Sequence, residues 1–154
     1  MQVFLIRHAD AVAETVAVRD PHRNLSVHGR TQARELGERM RWHDCSPSHI
    51  WTSPLVRAVQ TAELVCSGMS HAIAVETVPA LAPDGSPRDV VTALKALPAL
   101  SAVMIVGHEP SLSAIGALFV GDTRFEAIAK AEAVRIVDGG VRWRFAWDAE
   151  APAR

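Results

Sequence analysis

Short strand-like segments alternate with amphipathic stretches along most of the chain. Residues 2–6 and 102–106 are compact apolar runs, which is typical of strands buried on both faces of a parallel sheet. Residues 48–52 are predicted as a further strand, and residues 73–78 as a weaker one.

Stretches with helical spacing separate these strands. Ala33, Leu36 and Met40, for example, recur at the spacing of a helix with one apolar face. Serine or proline residues, which favour helix N-termini, stand at the beginning of these stretches. The predicted helix starts are Ser26, Ser53-Pro54, Ser86-Pro87 and Pro110.

The C-terminal region has a period of two instead. Val134 and Ile136, and then residues 141–147, alternate with polar positions, and Asp138-Gly139-Gly140 between them predicts a tight turn. A β-hairpin is therefore predicted, with residues 148–154 frayed beyond it. Together the elements predict an α/β fold: a three-layer α/β/α sandwich with a mostly parallel sheet and an antiparallel edge hairpin.

Length and composition fit one ordinary globular domain, predicted over residues 1–154. Hydrophobic residues make up 49% of the chain and charged residues 21%. The net charge of −1 gives no basic footprint, so no nucleic-acid partner is expected. Cys45 and Cys66 match no disulfide, zinc or cysteine-phosphatase spacing and are interpreted as packing residues.

No segment of the sequence has the pattern of a membrane anchor. No apolar run approaches the ~20 residues that span a bilayer. The apolar stretch Val3–Ile6 is short and is followed at once by Arg7, so it does not resemble a signal peptide. The expected location is the cytoplasm, with no membrane partner.

The candidate chemistry lies just after three of the predicted strands. Arg7 and His8 follow the first, Arg57 follows residues 48–52, and His108 follows residues 102–106. In open parallel sheets the ligand crevice lies outside the carboxyl ends of the strands, so these side chains are expected to converge. Two imidazoles and two guanidiniums in one crevice indicate chemistry on an anion, above all a phosphoryl group.

His8 is the candidate nucleophile, because a neutral imidazole attacks phosphorus and covalent catalysis divides one difficult step into two. Neighbouring arginines lower the pKa of the ring and keep it neutral. The alternatives are a structural histidine or a metal ligand, although a cation would then lie among guanidiniums. His108 is the candidate donor to a phosphoryl oxygen, or else a helix-entry histidine bonded to backbone.

Arg57 falls in the first turn of its predicted helix, where a cation opposes the helix macrodipole. A bound anion reverses that penalty, because the helix N-terminus and the guanidinium then favour the same phosphate. The alternative is an exposed arginine that extends into solvent.

Four further residues are weaker candidates. Arg23 and Asn24 lie in the long connection 9–25 and are predicted to bind substrate, unless they are solvated loop residues. Glu109 either favours the positive N-terminus of the fourth helix or contacts substrate and protonates the leaving group. Asp84 is a second candidate for that proton transfer.

Four ordered motifs resemble the histidine phosphatase superfamily, also called the phosphoglycerate mutase-like fold. They occupy residues 5–9, 25–33, 52–61 and 106–110. The short chain and the Gly107–Pro110 segment resemble the SixA-type phosphohistidine phosphatase branch. The resemblance implies a phosphohistidine intermediate on His8, with Arg7, Arg57 and His108 completing the phosphate pocket. It also implies no metal and no organic cofactor.

Two positions depart from the family pattern. Ala9 stands where most members have glycine after the Arg-His pair. Pro83 stands where mutases and many small-molecule phosphatases have a glutamate, and proline cannot donate a proton. An alkoxide leaving group needs that proton in the transition state, whereas imidazole is far easier to expel once its ring is protonated.

The sequence therefore predicts a phosphohydrolase, with a protein carrying phosphohistidine as its partner. One alternative is a small-molecule phosphomonoester phosphatase, acting on a sugar phosphate or nucleotide with Asp84 or Glu109 as acid. The other is a non-catalytic phosphoryl-binding module. The intact His8 and arginines argue against the module.

Overall fold

The computed structural model describes residues 1–153. The strands are β1 (Gln2–Arg7), β2 (His49–Thr52), β3 (Val75–Thr77), β4 (Ala102–Gly107), β5 (Glu132–Val137) and β6 (Gly140–Ala146). The helices are α1 (Val27–Trp42), α2 (Val56–Met69), α3 (Pro87–Ala96) and α4 (Ser111–Val120), with short 3₁₀ turns at Asp20–His22 and Pro79–Leu81.

The six strands form one sheet in the order β3-β2-β4-β1-β5-β6. The first four strands in that order are parallel to one another, while β5 runs antiparallel to β1 and β6 antiparallel to β5. Asp138 and Gly139 connect β5 to β6, both with positive φ, which is the conformation that a two-residue hairpin turn requires. The predicted parallel sheet with an antiparallel edge hairpin is confirmed.

Helices cover both faces of this sheet. Alternate side chains of β1 point to opposite faces, so Phe4 and Ile6 pack with residues of α1 and α2. Val3 and Leu5 pack with residues of α3 and α4 on the other face. The predicted three-layer α/β/α arrangement is therefore confirmed.

Glycines bring backbone segments close together next to the strand ends. A Cβ on Gly37 would lie 2.2 Å from the Val65 carbonyl oxygen, so α1 and α2 pack backbone against backbone. A Cβ on Gly29 would lie 1.9 Å from the Asp10 carbonyl oxygen, so the N-terminus of α1 lies against the segment that follows β1. These approaches fix the position of α2, whose first turn carries Arg57.

Two local predictions are wrong. Helix α2 begins at Val56 rather than Pro54, with Leu55 as its N-cap. The C-terminal segment does not fray throughout, because Ala153 exchanges two backbone hydrogen bonds of 2.7 Å with Arg144 of β6. Residue 154, part of that prediction, lies outside the described residues.

Within residues 1–153, none of the helices has both the length and the apolar character needed to cross a bilayer.

Candidate active site

The pairing of β1, β2 and β4 brings the predicted chemistry to one edge of the sheet. Arg7 lies opposite Gly107, and Thr52 lies opposite Val106. The backbone N–H of His8 donates to the Gly107 carbonyl over 3.1 Å. As a result, the His8 and His108 rings, which are a hundred residues apart in sequence, have centroids 5.1 Å apart.

The His8 ring is held in one tautomer. Its Nδ1 lies 2.8 Å from the Ala9 carbonyl oxygen, which can only accept, so Nδ1 carries the proton. Burial lowers the pKa of His8 to about 4; the bond to Ala9 opposes that shift, and the charges of Arg57, Arg7 and Lys130 reinforce it. At neutral pH the ring is therefore uncharged, with a free electron pair on Nε2, which is what a nucleophile requires.

His108 offers the opposite function, a hydrogen-bond donor. Its Nε2 lies 2.7 Å from the Ser53 hydroxyl, which itself accepts from the Leu55 N–H over 3.3 Å. When Ser53 donates its proton to Nε2, the proton of the neutral ring lies on Nδ1. That Nδ1 is buried without a partner among residues 1–153, so in this tautomer its N–H is free to bind an anion. Burial first, then His8 and Arg57, lower the pKa of His108 to about 3.

Both guanidiniums keep a donor free as well. Arg57 donates from Nη1 to the Asp20 carbonyl over 2.8 Å and from Nη2 to the Asp20 carboxylate over 3.3 Å. Arg7 donates from Nη1 to the Ile128 carbonyl over 3.2 Å. In the described part of the chain, Nε of each guanidinium is buried with no partner. Buried N–H groups of this kind are uncommon, and an oxyanion would satisfy them.

Thr61 connects the strand end to α2. Its hydroxyl accepts from the Ala9 N–H over 3.1 Å and donates to the Arg57 carbonyl over 2.7 Å. Ala9 is fully buried, and its methyl group packs with residues of α1 and α2. The alanine that replaces the usual glycine is thus accommodated in the core.

The substrate-binding candidates of the 9–25 connection reach the site to different extents. Arg23 forms an ion pair with Asp20, with Nε 3.0 Å from Oδ1. Asp20 also pairs with Arg57, so it lies between the two arginines. Asn24 donates from its side-chain amide to the Leu25 carbonyl over 3.0 Å. Arg23 is thus linked to the cluster through Asp20, and binding of substrate by either residue stays a prediction.

Neither acid candidate has a hydrogen bond to Arg7, His8, Arg57 or His108 in the described part of the chain. The Glu109 carboxylate accepts from the Ile128 N–H over 3.0 Å and from the Ser113 hydroxyl over 2.6 Å. Both of its oxygens therefore bind the protein itself near the start of α4. Asp84 is exposed in the connection before α3. This geometry favours the structural interpretation of Glu109, and its contact with substrate stays a prediction.

Sequence reasoning missed four contributors to this site. Ser53 was interpreted only as a helix cap, and Thr61 was recognised only as a motif residue. Asp20 is one of several charged residues in the connection 9–25, and no spacing distinguishes it. Lys130, whose Nζ lies 3.1 Å from the Asp10 carboxylate, belongs to no motif at all.

The remaining candidates for other chemistry are buried thiols and metal ligands. Cys45 and Cys66 are both buried, and burial raises the pKa of each thiol to about 11, so they pack as protonated side chains. Among residues 1–153, no three histidine, cysteine, aspartate or glutamate side chains cluster as a metal site would require. That the reaction needs no metal stays a prediction.

The site has an unprotonated imidazole nitrogen next to buried nitrogens without partners, at the carboxyl end of a parallel sheet. This arrangement is typical of phosphatases with a histidine nucleophile. The family model of the histidine phosphatase superfamily (branch 1) matches residues 3–82 of the 154-residue chain. The protein belongs to this superfamily and is a histidine-nucleophile phosphatase, as the motifs indicated.

Similar proteins refine this placement. The chain is 30% identical over 112 residues to the phosphohistidine phosphatase SixA of Escherichia coli K12, which covers 71% of this chain and 68% of SixA. A structure of the protein histidine phosphatase SixA complexed with tungstate matches with a TM-score of 0.88 and 23% identity, over 96% of this chain and 97% of the other.

The same fold also serves other substrates. The native structure of a mycobacterial glucosyl-3-phosphoglycerate phosphatase matches with a TM-score of 0.66 and 17% identity, over 97% of this chain and 99% of that one. The fold alone therefore does not select between P–N and P–O substrates.

Proposed function

We propose that this protein is a phosphohistidine phosphatase that removes the phosphoryl group from a histidine of a partner protein. In the first step, His8 Nε2 attacks phosphorus, the P–N bond of the substrate breaks, and its electron pair returns to the leaving imidazole nitrogen. The product is phosphorylated His8. In the second step, water attacks that phosphorus, the bond to Nε2 breaks, and phosphate is released.

The neutral state of His8 supports its role as nucleophile. The Ala9 carbonyl holds the Nδ1 proton, which leaves Nε2 unprotonated, and the depressed pKa keeps it so across the physiological range. After attack the imidazole carries a positive charge, and the same carbonyl stabilises the Nδ1 proton. One backbone acceptor thus serves both the ground state and the phosphoenzyme.

The free donors are suited to the transferring group. Three nitrogens of the site are buried without partners in residues 1–153: Nε of Arg7, Nε of Arg57 and Nδ1 of His108. A phosphoryl group in flight spreads its negative charge over three equatorial oxygens. Preorganised donors in a buried site stabilise that charge without the cost of reorganising water.

The observation that carries the choice of substrate is the state of the candidate acids. Glu109 uses both carboxylate oxygens within the protein, Asp84 is exposed, and Pro83 has no proton to give. A phosphohistidine ring can be protonated on its second nitrogen before the P–N bond breaks, so its departure needs little acid help. An alkoxide leaving group has no second ring nitrogen that could be protonated before the P–O bond breaks. The identity to SixA supports the same choice.

The burial of the site favours a protruding substrate group. His8, Arg57 and His108 are only 7%, 5% and 5% exposed, so a phosphoryl group has to be carried inward to reach them. A phosphorylated histidine side chain that projects from a protein surface can carry it there. The expected setting is the cytoplasm, where the partner would be a phosphorylated protein.

A substrate panel tests the proposal. Initial rates are measured for a phosphohistidine peptide, phosphoramidate, glucose 6-phosphate, a nucleoside monophosphate and p-nitrophenyl phosphate. We expect kcat/KM for the peptide to exceed that for the sugar phosphate and the nucleotide by about 100-fold or more, because only those esters require acid help. Glu109→Gln and Asp84→Asn should retain most activity on the peptide.

The opposite ranking would contradict the P–N assignment. If sugar phosphates or nucleotides were hydrolysed faster than phosphohistidine, and Glu109→Gln abolished that activity, the protein would be a small-molecule phosphomonoester phosphatase.

A further inference from the structure

Asp20 connects two guanidiniums of the site. It lies in the 3₁₀ turn Asp20–His22, inside the connection 9–25. Its backbone carbonyl accepts from Arg57 Nη1 over 2.8 Å, and its Oδ2 accepts from Arg57 Nη2 over 3.3 Å. Its other carboxylate oxygen lies 3.0 Å from Nε of Arg23. One residue thus makes three contacts to two cations.

These contacts decide which edge of Arg57 remains available. A guanidinium has five N–H donors in one plane, and its end-on edge consists of Nη1 and Nη2. Asp20 binds that edge with both its carbonyl and its carboxylate. Nε of Arg57 has no partner in residues 1–153, and its N–H lies on the side edge. An oxyanion at the site would therefore meet the side edge of Arg57.

The ion pair joins a partly exposed carboxylate to a buried guanidinium. The Asp20 side chain is 45% exposed while the Arg57 side chain is 6% exposed. The pair gives the buried cation of Arg57 an anionic partner. Fixing a long side chain before substrate arrives also removes rotamer freedom that binding would otherwise have to restrict. Asp20 also separates the positive charges of Arg57 and Arg23.

We propose that Asp20 is the positioning residue for Arg57, which holds the guanidinium so that its Nε edge binds the transferring phosphoryl group. This rests on the proposed role of Arg57 in phosphoryl binding. It does not depend on whether the substrate is phosphohistidine. Asp20 acts through Arg57 and is not itself expected to touch substrate.

Oxyanion binding and a double-mutant cycle test the proposal. The affinity for tungstate is measured by calorimetry for the native protein, Asp20→Asn, Arg57→Ala and the double variant. We expect Asp20→Asn to weaken binding about 10-fold and Arg57→Ala about 100-fold. The double variant should bind no more weakly than Arg57→Ala alone, because Asp20 has nothing left to position. Glu14→Gln, in the same connection, is the control and should bind as the native protein does.

Tighter tungstate binding by Asp20→Asn would overturn the proposal, since the carboxylate would then be a competitor of the anion. Additive losses in the cycle would overturn it too, because Asp20 would act independently of Arg57. If Asp20→Asn does not fold, Asp20→Ala is the second variant. Both substitutions keep the backbone carbonyl that binds Arg57. If Arg57→Ala left tungstate binding unchanged, the role of Arg57 itself would be wrong. Failure of phosphohistidine hydrolysis alone would not change these results.

Discussion

The strand-end part of the site and the connection 9–25 hold their side chains by different means. His8, Ser53 and His108 follow three adjacent strands, and their positions are set by sheet register and backbone hydrogen bonds. The connection reaches the same site through side-chain contacts of Asp20, which is partly exposed. In the proposed mechanism, the sheet fixes the reacting groups, while the connection orients a donor toward them. Substitutions at strand ends should therefore remove chemistry, and substitutions in the connection should only weaken it.

The largest expected effect is that of His8→Ala. Without the imidazole no phosphoenzyme can form, so kcat should fall by at least about 10⁴-fold. The measurement is the rate of phosphate release from a phosphohistidine peptide. His22→Asn, an exposed histidine of the connection 9–25, is the control and should retain native activity. Substantial turnover by His8→Ala would show that another group attacks phosphorus.

Arg57→Ala is expected to have the second largest effect on catalysis. The loss of a buried charged donor to the transferring oxygens should lower kcat/KM by about 10²–10³-fold. Arg30→Ala provides the control, because Arg30 is exposed on α1. A loss of less than about 10-fold would contradict direct contact between Arg57 and the phosphoryl group.

Ser53→Ala tests the single hydrogen bond between Ser53 and His108. Removal of the hydroxyl releases His108 Nε2, and the ring can then carry its proton on the wrong nitrogen. One hydrogen bond corresponds to about 1.4 kcal/mol, so kcat should fall about 10-fold. Ser113→Ala, which alters a hydroxyl bound to Glu109, should have little effect. Equal losses in the two variants would indicate a general packing defect rather than control of the tautomer.

The free energy of unfolding should depend on pH because the buried His8 ring stays neutral in the folded state. The pKa of His8 is lowered to about 4 in the folded state from 6.5, so between those values only the unfolded chain binds the proton. The free energy of unfolding should thus fall as the pH drops from about 6.5 toward 4, by about 3 kcal/mol for His8. Denaturant titrations of native protein and His8→Asn test this, and the variant should show a shallower fall. Identical pH profiles would contradict the burial of a neutral His8.

The rate of phosphate release should not fall near pH 6.5, where a solvent-exposed histidine becomes protonated. Because the pKa values of His8 and His108 are lowered to about 4 and about 3, lowering the pH through 6.5 should not protonate either ring in the free enzyme.

The strand-end part of the site was predictable from sequence because backbone geometry dictates it. Apolar runs predict buried strands. Parallel strands of an open sheet have their carboxyl ends at the same edge, so the side chains that follow these strands lie close together. That reasoning brought His8 and His108 together without knowledge of the fold. It missed the hydrogen bond between Ser53 and His108, because a serine before a helix is explained well enough as a helix cap.

The connection 9–25 was far less predictable. Its charged residues have no periodicity, and side-chain ion pairs leave no spacing signal in a sequence. Arg23 was identified as a candidate, but its partner Asp20 was not. Lys130 reaches Asp10 from a segment 120 residues away, a contact that follows only from the antiparallel addition of β5 beside β1.

Phosphorylation of His8 itself can be observed in a quench experiment. The native protein and Arg57→Ala are mixed with a phosphohistidine peptide, stopped with alkali within a turnover, digested and sequenced by mass spectrometry. We expect an acid-labile phosphoryl group on His8 of the native protein, in amounts that rise and decay with turnover. Phosphate release with the phosphoryl group on another residue, or with none on His8, would contradict it.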